Sequence, residues 1–232
     1  MVVTPFDYKA FYQSALGLAV LGVLRSCVRK LWGAWGGADE RRLFLGCGAF
    51  VDPRQNGFCG QLTSVADETF SCFVGENKKP LSDGGFDRLL ALHALDDALN
   101  LEAFAREAWR VLKGEGQLLL IVPRQGSAWA EKDGSPFADE PAFTKAWLRQ
   151  VFRAQGFSSI RIHRALYAAP RTRGQNAFLF RMEARFPVLL GFGGGGGVFI
   201  VEARKTLFGA IPCAKRSSSK DAEALFAAPL PV

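Results

Sequence analysis

The sequence predicts an α/β protein built on an open, doubly wound, mostly parallel sheet. Three observations carry that expectation. Short apolar runs alternate with amphipathic stretches along most of the 232 residues. One such alternation, from Arg88 to Pro123, has strand–helix–strand spacing. A glycine pair, Gly46-Cys47-Gly48, follows directly on an apolar strand pattern. Parallel strands covered on both faces read as continuous apolar runs, and helices must connect them.

The elements follow in order. From Asp7 to Trp32, Phe11, Leu18, Leu21, Leu24 and Val28 recur near one helical face, which predicts an N-terminal helix over about 7–32. The glycines of "GAWGGADE" end it, and "RRLFL" is a buried-type strand running into the Gly46–Gly48 loop. Asp52-Pro53 reads as an N-cap with proline at the first helical position. One or two short strands are expected between Gln61 and Phe73.

The centre is more regular. "FDRLLALHAL" supplies a strand from Arg88 to Leu92 that ends at His93. "NLEAFAREAWRVL" is helical, "KGEG" turns, and "QLLLIVP" is a strand stopped by Pro123. "TKAWLRQVFRAQGF" is a helix capped by Thr144 and ended by Gly156. "SSIRIHRALY" and "GVFIVEARK" are two more strands, with a helical insertion at about 171–190 between them. Residues 212–232, rich in Ser, Lys, Ala and Pro, read as a disordered tail, which leaves one domain over 1–211.

Composition narrows the function. Apolar residues make up 49% and charged residues 22%, so the chain can bury a globular core. The formal net charge is +7, which suits an anionic partner or simple solubility. Arg204, Lys205, Lys215, Arg216 and Lys220 come with no helix-turn-helix and no aromatic platform, so nucleic-acid binding ranks last. The five cysteines form no C-x-x-C, which favours reduced thiols and argues against a metal site. Ala15 to Leu24 is about half the length of a membrane span and has no signal-peptide flanks, so a cytoplasmic protein is expected. Arg25, Arg29 and Lys30 leave room for peripheral membrane contact through the first helix.

Open α/β sheets bind ligands at the carboxyl ends of their strands, which puts the Gly46–Gly48 loop and His93 on one edge. The third position of a dinucleotide fingerprint is Val51, and no G-K-S/T follows any glycine loop. Small residues in the loop let a ligand approach the backbone closely. A valine at Gly48 is therefore expected to abolish binding while leaving the domain folded. His93, one of only two histidines, is a candidate base; the competing role is packing at a strand end. Asp96 and Asp97 read as N-cap residues, and His163 as structural. Trp129 and Tyr167 either line an acceptor pocket or pack in the core, and Cys47 fills space within the loop.

The order of these pieces resembles the class I S-adenosylmethionine-dependent methyltransferases, closest to the methyltransferase type 11-like group. "FDRLLALHAL" is similar to that family's fourth strand and "RVLKGEGQLLLIVP" to its turn and fifth strand. "SPFADEPAFTKAWLRQVFRAQGF", "RALYAAPRTR" and "EARKTLFGAIP" resemble an alphaproteobacterial subgroup. The resemblance implies a seven-stranded, Rossmann-like sheet whose last strand is antiparallel. It also implies S-adenosylmethionine as cofactor and transfer of its methyl group to a small-molecule or lipid-related acceptor. Implied cofactor contacts are Leu45, Gly46, Cys47, Gly48, Leu92 and His93, with Asp67 or Glu68 for the ribose and Glu76 as the carboxylate nearest the adenine position; His93 is also the implied catalytic residue. The motif departs from the family at Phe44, where an acidic residue is usual, at Phe50, where a glycine is usual, and at Lys78. "PFADEPAF" lacks the histidine that the subgroup's loop carries. These departures frame the alternative, a methyltransferase fold that has lost turnover and serves as a binding or regulatory partner.

Overall fold

The computed structural model describes residues 7–33, 40–51, 58–65, 69–74, 79–95, 101–170, 177–185 and 195–206. The sheet begins with β1 (Arg42–Gly46), β2 (Phe58–Val65), β3 (Thr69–Val74), β4 (Lys79–Pro80) and β5 (Phe86–Leu92). It is completed by β6 (Leu112–Pro123), β7 (Phe157–Ala165) and β8 (Val198–Lys205). Among the described residues these form one eight-stranded sheet in the order β4-β3-β2-β1-β5-β6-β8-β7.

The expectation of seven, mostly parallel strands needs correction. Among the strands of the described residues, only β1–β2, β1–β5 and β5–β6 are parallel pairs. β2–β3, β3–β4, β6–β8 and β7–β8 are antiparallel. The reason on one side is chain length, since β2 and β3 are separated by only residues 66–68, too few for the helical crossover a parallel return needs. The antiparallel last strand agrees with the expectation, and it slots between β6 and β7.

Helices cover both faces. α4 (Leu101–Val111) and α6 (Lys145–Ala154) put Phe104, Ala108, Leu148 and Phe152 against Leu43, Leu89, Leu118 and Val201 of the strands. The other face carries α2 (Ala15–Trp32), whose Val20, Leu24 and Val28 pack with Phe44, Leu90, Leu119 and Ile200. Neighbouring strand residues divide between the two faces, as the two-residue period of a strand requires. Each fully covered side chain of this size contributes about 1.5–3 kcal/mol, so the two layers account for the driving force of folding. α7 (Ala177–Arg185) lies within the expected insertion and packs on α2. No helix among the described residues is long and apolar enough to cross a membrane. The tail at 212–232 lies outside the described residues.

The N-terminal helix is two helices. Ser14 closes α1 (Tyr8–Gln13) and opens α2, its backbone extended at φ −72° and ψ 161°. Its hydroxyl oxygen accepts from the Gly17 N–H at 3.0 Å, an N-cap contact. The turn is tight: a Cβ on Gly17 would stand 2.0 Å from the Phe11 carbonyl oxygen. Leu18, expected on the buried face, is 57% exposed, because at 100° per residue it falls outside the stripe of Val20, Leu24, Cys27 and Val28 that α2 buries. The break turns α1 toward the carboxyl ends of β1 and β5, where Tyr12 and Tyr8 reach His93.

Candidate functional site

The sequence placed the loop after β1 and His93 on one edge, and the structure brings them together. The Cys47 N–H donates to the Leu92 carbonyl at 2.6 Å. Gly46 has φ +57°, and a Cβ there would lie 2.3 Å from the Leu92 oxygen and 2.4 Å from the His93 oxygen. A Cβ on Gly48 would lie 2.4 Å from the Leu90 oxygen. Both glycines are therefore demanded by the backbone of β5, whatever the loop binds. A valine at Gly48 disturbs the fold itself, contrary to the expectation of an intact domain. Leu45 and Leu92 are wholly buried in the sheet, on opposite faces.

After the loop comes α3 (Gly48–Val51), a single turn held down by Arg25, whose guanidinium donates to the Phe50 carbonyl at 2.8 and 3.2 Å. Asp67, Glu76, Asp96 and Asp97 lie outside the described residues.

His93 is the hub of the edge. It follows β5 with φ +53°, a left-handed conformation that costs a non-glycine residue about 1–2 kcal/mol. Its side chain is 0% exposed. Nε2 pairs with the Tyr12 hydroxyl at 2.6 Å, and Nδ1 pairs with Oε1 of Glu140, itself 5% exposed. The Tyr8 ring stacks on the imidazole at 4.4 Å between centroids, and Phe137 lies at 4.8 Å. Tyr12 stands between His93 and Phe50, its ring 5.7 and 5.6 Å from theirs. A buried imidazole with both nitrogens engaged exceeds what strand-end packing requires.

Glu140 and Phe137 come from the segment 132–143, which is tied at both ends. After α5 (Ala128–Glu131), Ser135 N–H donates to the Lys132 carbonyl at 3.0 Å; Phe143 N–H donates to Pro123, at the end of β6, at 3.1 Å. Glu140 belongs to "PFADEPAF", the loop whose missing histidine counted against activity. The loop supplies a carboxylate to His93 instead. Sequence reasoning missed Glu140, Tyr8 and Tyr12, because only the fold brings them to the rim.

Electrostatics keeps the neighbouring groups neutral. Burial pushes the Tyr12 phenol well above its ordinary range, and Cys47, Glu140 and Tyr8 add to the shift. Burial, then the Glu140 carboxylate, pushes the Cys47 thiol up to about 12. Cys47 is thus a half-buried, protonated filler and no nucleophile.

The remaining candidates separate cleanly. Trp129 is core: its indole N–H donates to the Ala168 carbonyl at 2.8 Å, and a Cβ on Gly197 would strike its ring at 2.0 Å. Tyr167 is half-buried, and its N–H donates to Glu183. His163 pairs with Glu202 at 3.1 Å across β7 and β8, away from the rim.

A family model described as "Methyltransferase domain" matches residues 53–120, from before β2 to within β6. None of the curated proteins matches the sequence. Among solved structures, an S-adenosylmethionine-dependent methyltransferase of Thermotoga maritima is similar at TM-score 0.55 and 16% identity, over 86% of this chain and 95% of that one. A second, from Archaeoglobus fulgidus, is similar at 0.50 and 14%, over 86% and 100%. A phosphoethanolamine N-methyltransferase of Haemonchus contortus, in complex with S-adenosylhomocysteine, is similar at 0.50 and 12%, over 88% of this chain and 61% of that one. With a methyltransferase-domain match inside it, the chain has the fold of the S-adenosylmethionine-dependent methyltransferases.

Proposed function

We propose that this protein transfers a methyl group from S-adenosylmethionine to a small-molecule or lipid-related acceptor at the carboxyl edge of its sheet. The observation that carries the reading is the buried His93–Glu140 pair under Tyr8 and Tyr12, set at that edge of a methyltransferase fold.

The residues present suit the cofactor's sulfonium end. The rings of Tyr8, Tyr12 and Phe137 lie around the His93 imidazole, which pairs with the buried Glu140 carboxylate; aromatic rings near a carboxylate favour a cation. When bound, the cofactor supplies a methyl group already activated by the sulfonium. In this reading the cofactor lies along the stretch Leu45, Gly46, Cys47 and Gly48 beside Leu92 and His93, with Asp67 and Glu76 assigned to the ribose and adenine.

The chain's own work is positioning and water exclusion, which can supply several kcal/mol without a covalent catalyst. His93 takes the proton when the acceptor has to lose one. The glycine loop's contacts with β5 favour a second reading, a methyltransferase fold that binds without turnover, since they explain Gly46 and Gly48 with no ligand at all.

Calorimetry with S-adenosylmethionine and with S-adenosylhomocysteine tests the first reading. Saturable binding and a raised melting temperature are expected; at a hundredfold excess over Kd the gain is about 2.7 kcal/mol. No heat and no shift at millimolar ligand, with the fold intact, would leave the second reading.

A further inference from the structure

We infer that Glu140 is the positioning residue of His93: it holds the imidazole in the tautomer that carries hydrogen on Nδ1 and leaves Nε2 bare to take a proton from the acceptor. The inference rests on the methyl-transfer reading for the use made of that proton, but the tautomer belongs to the protein alone.

Three observations converge on it. A carboxylate can only accept hydrogen bonds, so the ring nitrogen facing Glu140 must carry the hydrogen. Nε2 is then an acceptor, and the group facing it at 2.6 Å is the Tyr12 phenol, which burial keeps protonated and able to donate. The imidazole is also clamped, by Tyr8 on one side and Phe137 near another, so it cannot exchange its nitrogens by rotating freely. A fixed ring, a fixed tautomer and one bare nitrogen aimed at a hydroxyl are what a general base needs.

Nε2 is buried and faces the Tyr12 hydroxyl, so a proton reaches it through that hydroxyl. As the acceptor's nucleophilic atom forms its bond to the methyl carbon, its proton passes to the Tyr12 oxygen and the Tyr12 proton passes to Nε2. The carbon–sulfur bond breaks and its electron pair stays on sulfur. The Glu140 carboxylate stabilises the resulting imidazolium until the proton leaves to solvent. Glu140 touches neither acceptor nor cofactor in this scheme and acts through the ring.

Nitrogen-15 NMR of imidazole-labelled protein tests the assignment at about pH 8.5, some two units above the ordinary histidine value. The chain has only two histidines, so a His163→Asn background leaves His93 as the one signal. The wild type is expected to show hydrogen on Nδ1 and a bare Nε2. Glu140→Gln should keep that pattern, because its amide oxygen still accepts. Glu140→Leu should lose it, at least a third of the rings shifting their hydrogen to Nε2. A bare Nδ1, an even mixture or a doubly protonated ring in the wild type overturns the proposal. So does an unchanged pattern in Glu140→Leu. If the leucine variant does not fold, the wild-type spectrum decides.

Calorimetry with S-adenosylmethionine on the same samples keeps the two readings apart. Absent binding with the expected tautomer sinks methyl transfer and leaves the pair standing; binding with the wrong tautomer does the reverse.

Discussion

The two edges of the sheet use similar side chains for different ends. At the amino edge, a cleft of about 560 Å³ is lined by Asp83, Arg106, Trp109, Arg110, Lys113 and Lys205. Arg110 donates to Glu107, to the Leu81 carbonyl and to Asp83, whose side chain is 80% exposed. Lys205 donates to the Trp109 and Leu112 carbonyls at 2.7 Å and lies over the Trp109 ring. Apart from the Arg110–Glu107 pair within α4, these contacts tie the end of α4 and the start of β6 to the loop before β5 and to β8. At the carboxyl edge, His93, Glu140 and Tyr12 are buried beside aromatic rings, where low dielectric magnifies each hydrogen bond and each loss. At one edge charged groups, several of them open to solvent, stitch the fold; at the other the polar groups are closed away from water.

Two glycines with nearly equal φ give the sharpest way to break this contrast. Gly46 has φ +57° and Gly84 has φ +59°. A Cβ at Gly84 meets nothing nearer than the Leu112 oxygen at 4.0 Å, whereas at Gly46 it meets two backbone oxygens under 2.5 Å. Gly84→Ala should therefore cost only the left-handed strain, about 1–2 kcal/mol. Gly46→Ala adds overpacking of roughly 1–3 kcal/mol on top. Urea unfolding of the pair reads the difference directly. Equal losses would mean that the loop does not sit on β5 as described.

Next in size is the hydroxyl on Nε2. Tyr12→Phe keeps the ring that packs with Phe50 and leaves the imidazole without its partner. An unpaired buried polar group costs about 1–3 kcal/mol, and a loss near the middle of that range is expected in thermal or urea unfolding. A loss below about 0.5 kcal/mol, the ordinary range for a surface substitution, would mean that water reaches Nε2 and the edge is not sealed.

The sequence made one half of this molecule easy to read and the other hard. "FDRLLAL", "QLLLIV" and "FIV" are apolar runs that can only be covered strands, and β5, β6 and β8 follow them. α4 and α6 were equally legible from their apolar stripes, as was the Thr144 cap, which the structure confirms at 3.2 Å from the Trp147 N–H. The short strands expected between Gln61 and Phe73 are β2 and β3, but their antiparallel pairing was not read from the sequence. Nor was the break at Ser14, since serine and glycine are compatible with a continuous helix until the tertiary fold turns one half away. His93 was found because histidine is rare in this chain. Glu140 and the two tyrosines lie 47 to 85 positions away from His93, and no local pattern announces a contact made by the fold.

The smallest effect belongs to the amino edge and tests it on its own terms. Lys113 donates to both oxygens of Asp87 at 2.8 and 2.9 Å, and the Arg41 N–H donates to the same carboxylate at 2.9 Å. Burial alone pushes the Asp87 carboxyl up; the Lys113 ammonium and the Arg41 N–H overcome it, and the net shift is downward. A carboxyl with a lowered folded value favours folding above its unfolded value of about 3.9, and that stability is lost as pH falls through the folded value. Lys113→Met should therefore cost less than about 1 kcal/mol near pH 7, because the pair is open to solvent. The cost should shrink below about pH 4 as Asp87 takes up its proton, and it should fall with added salt. A larger loss, independent of both pH and salt, would place the Lys113–Asp87 pair among the sealed contacts and erase the distinction between the two edges.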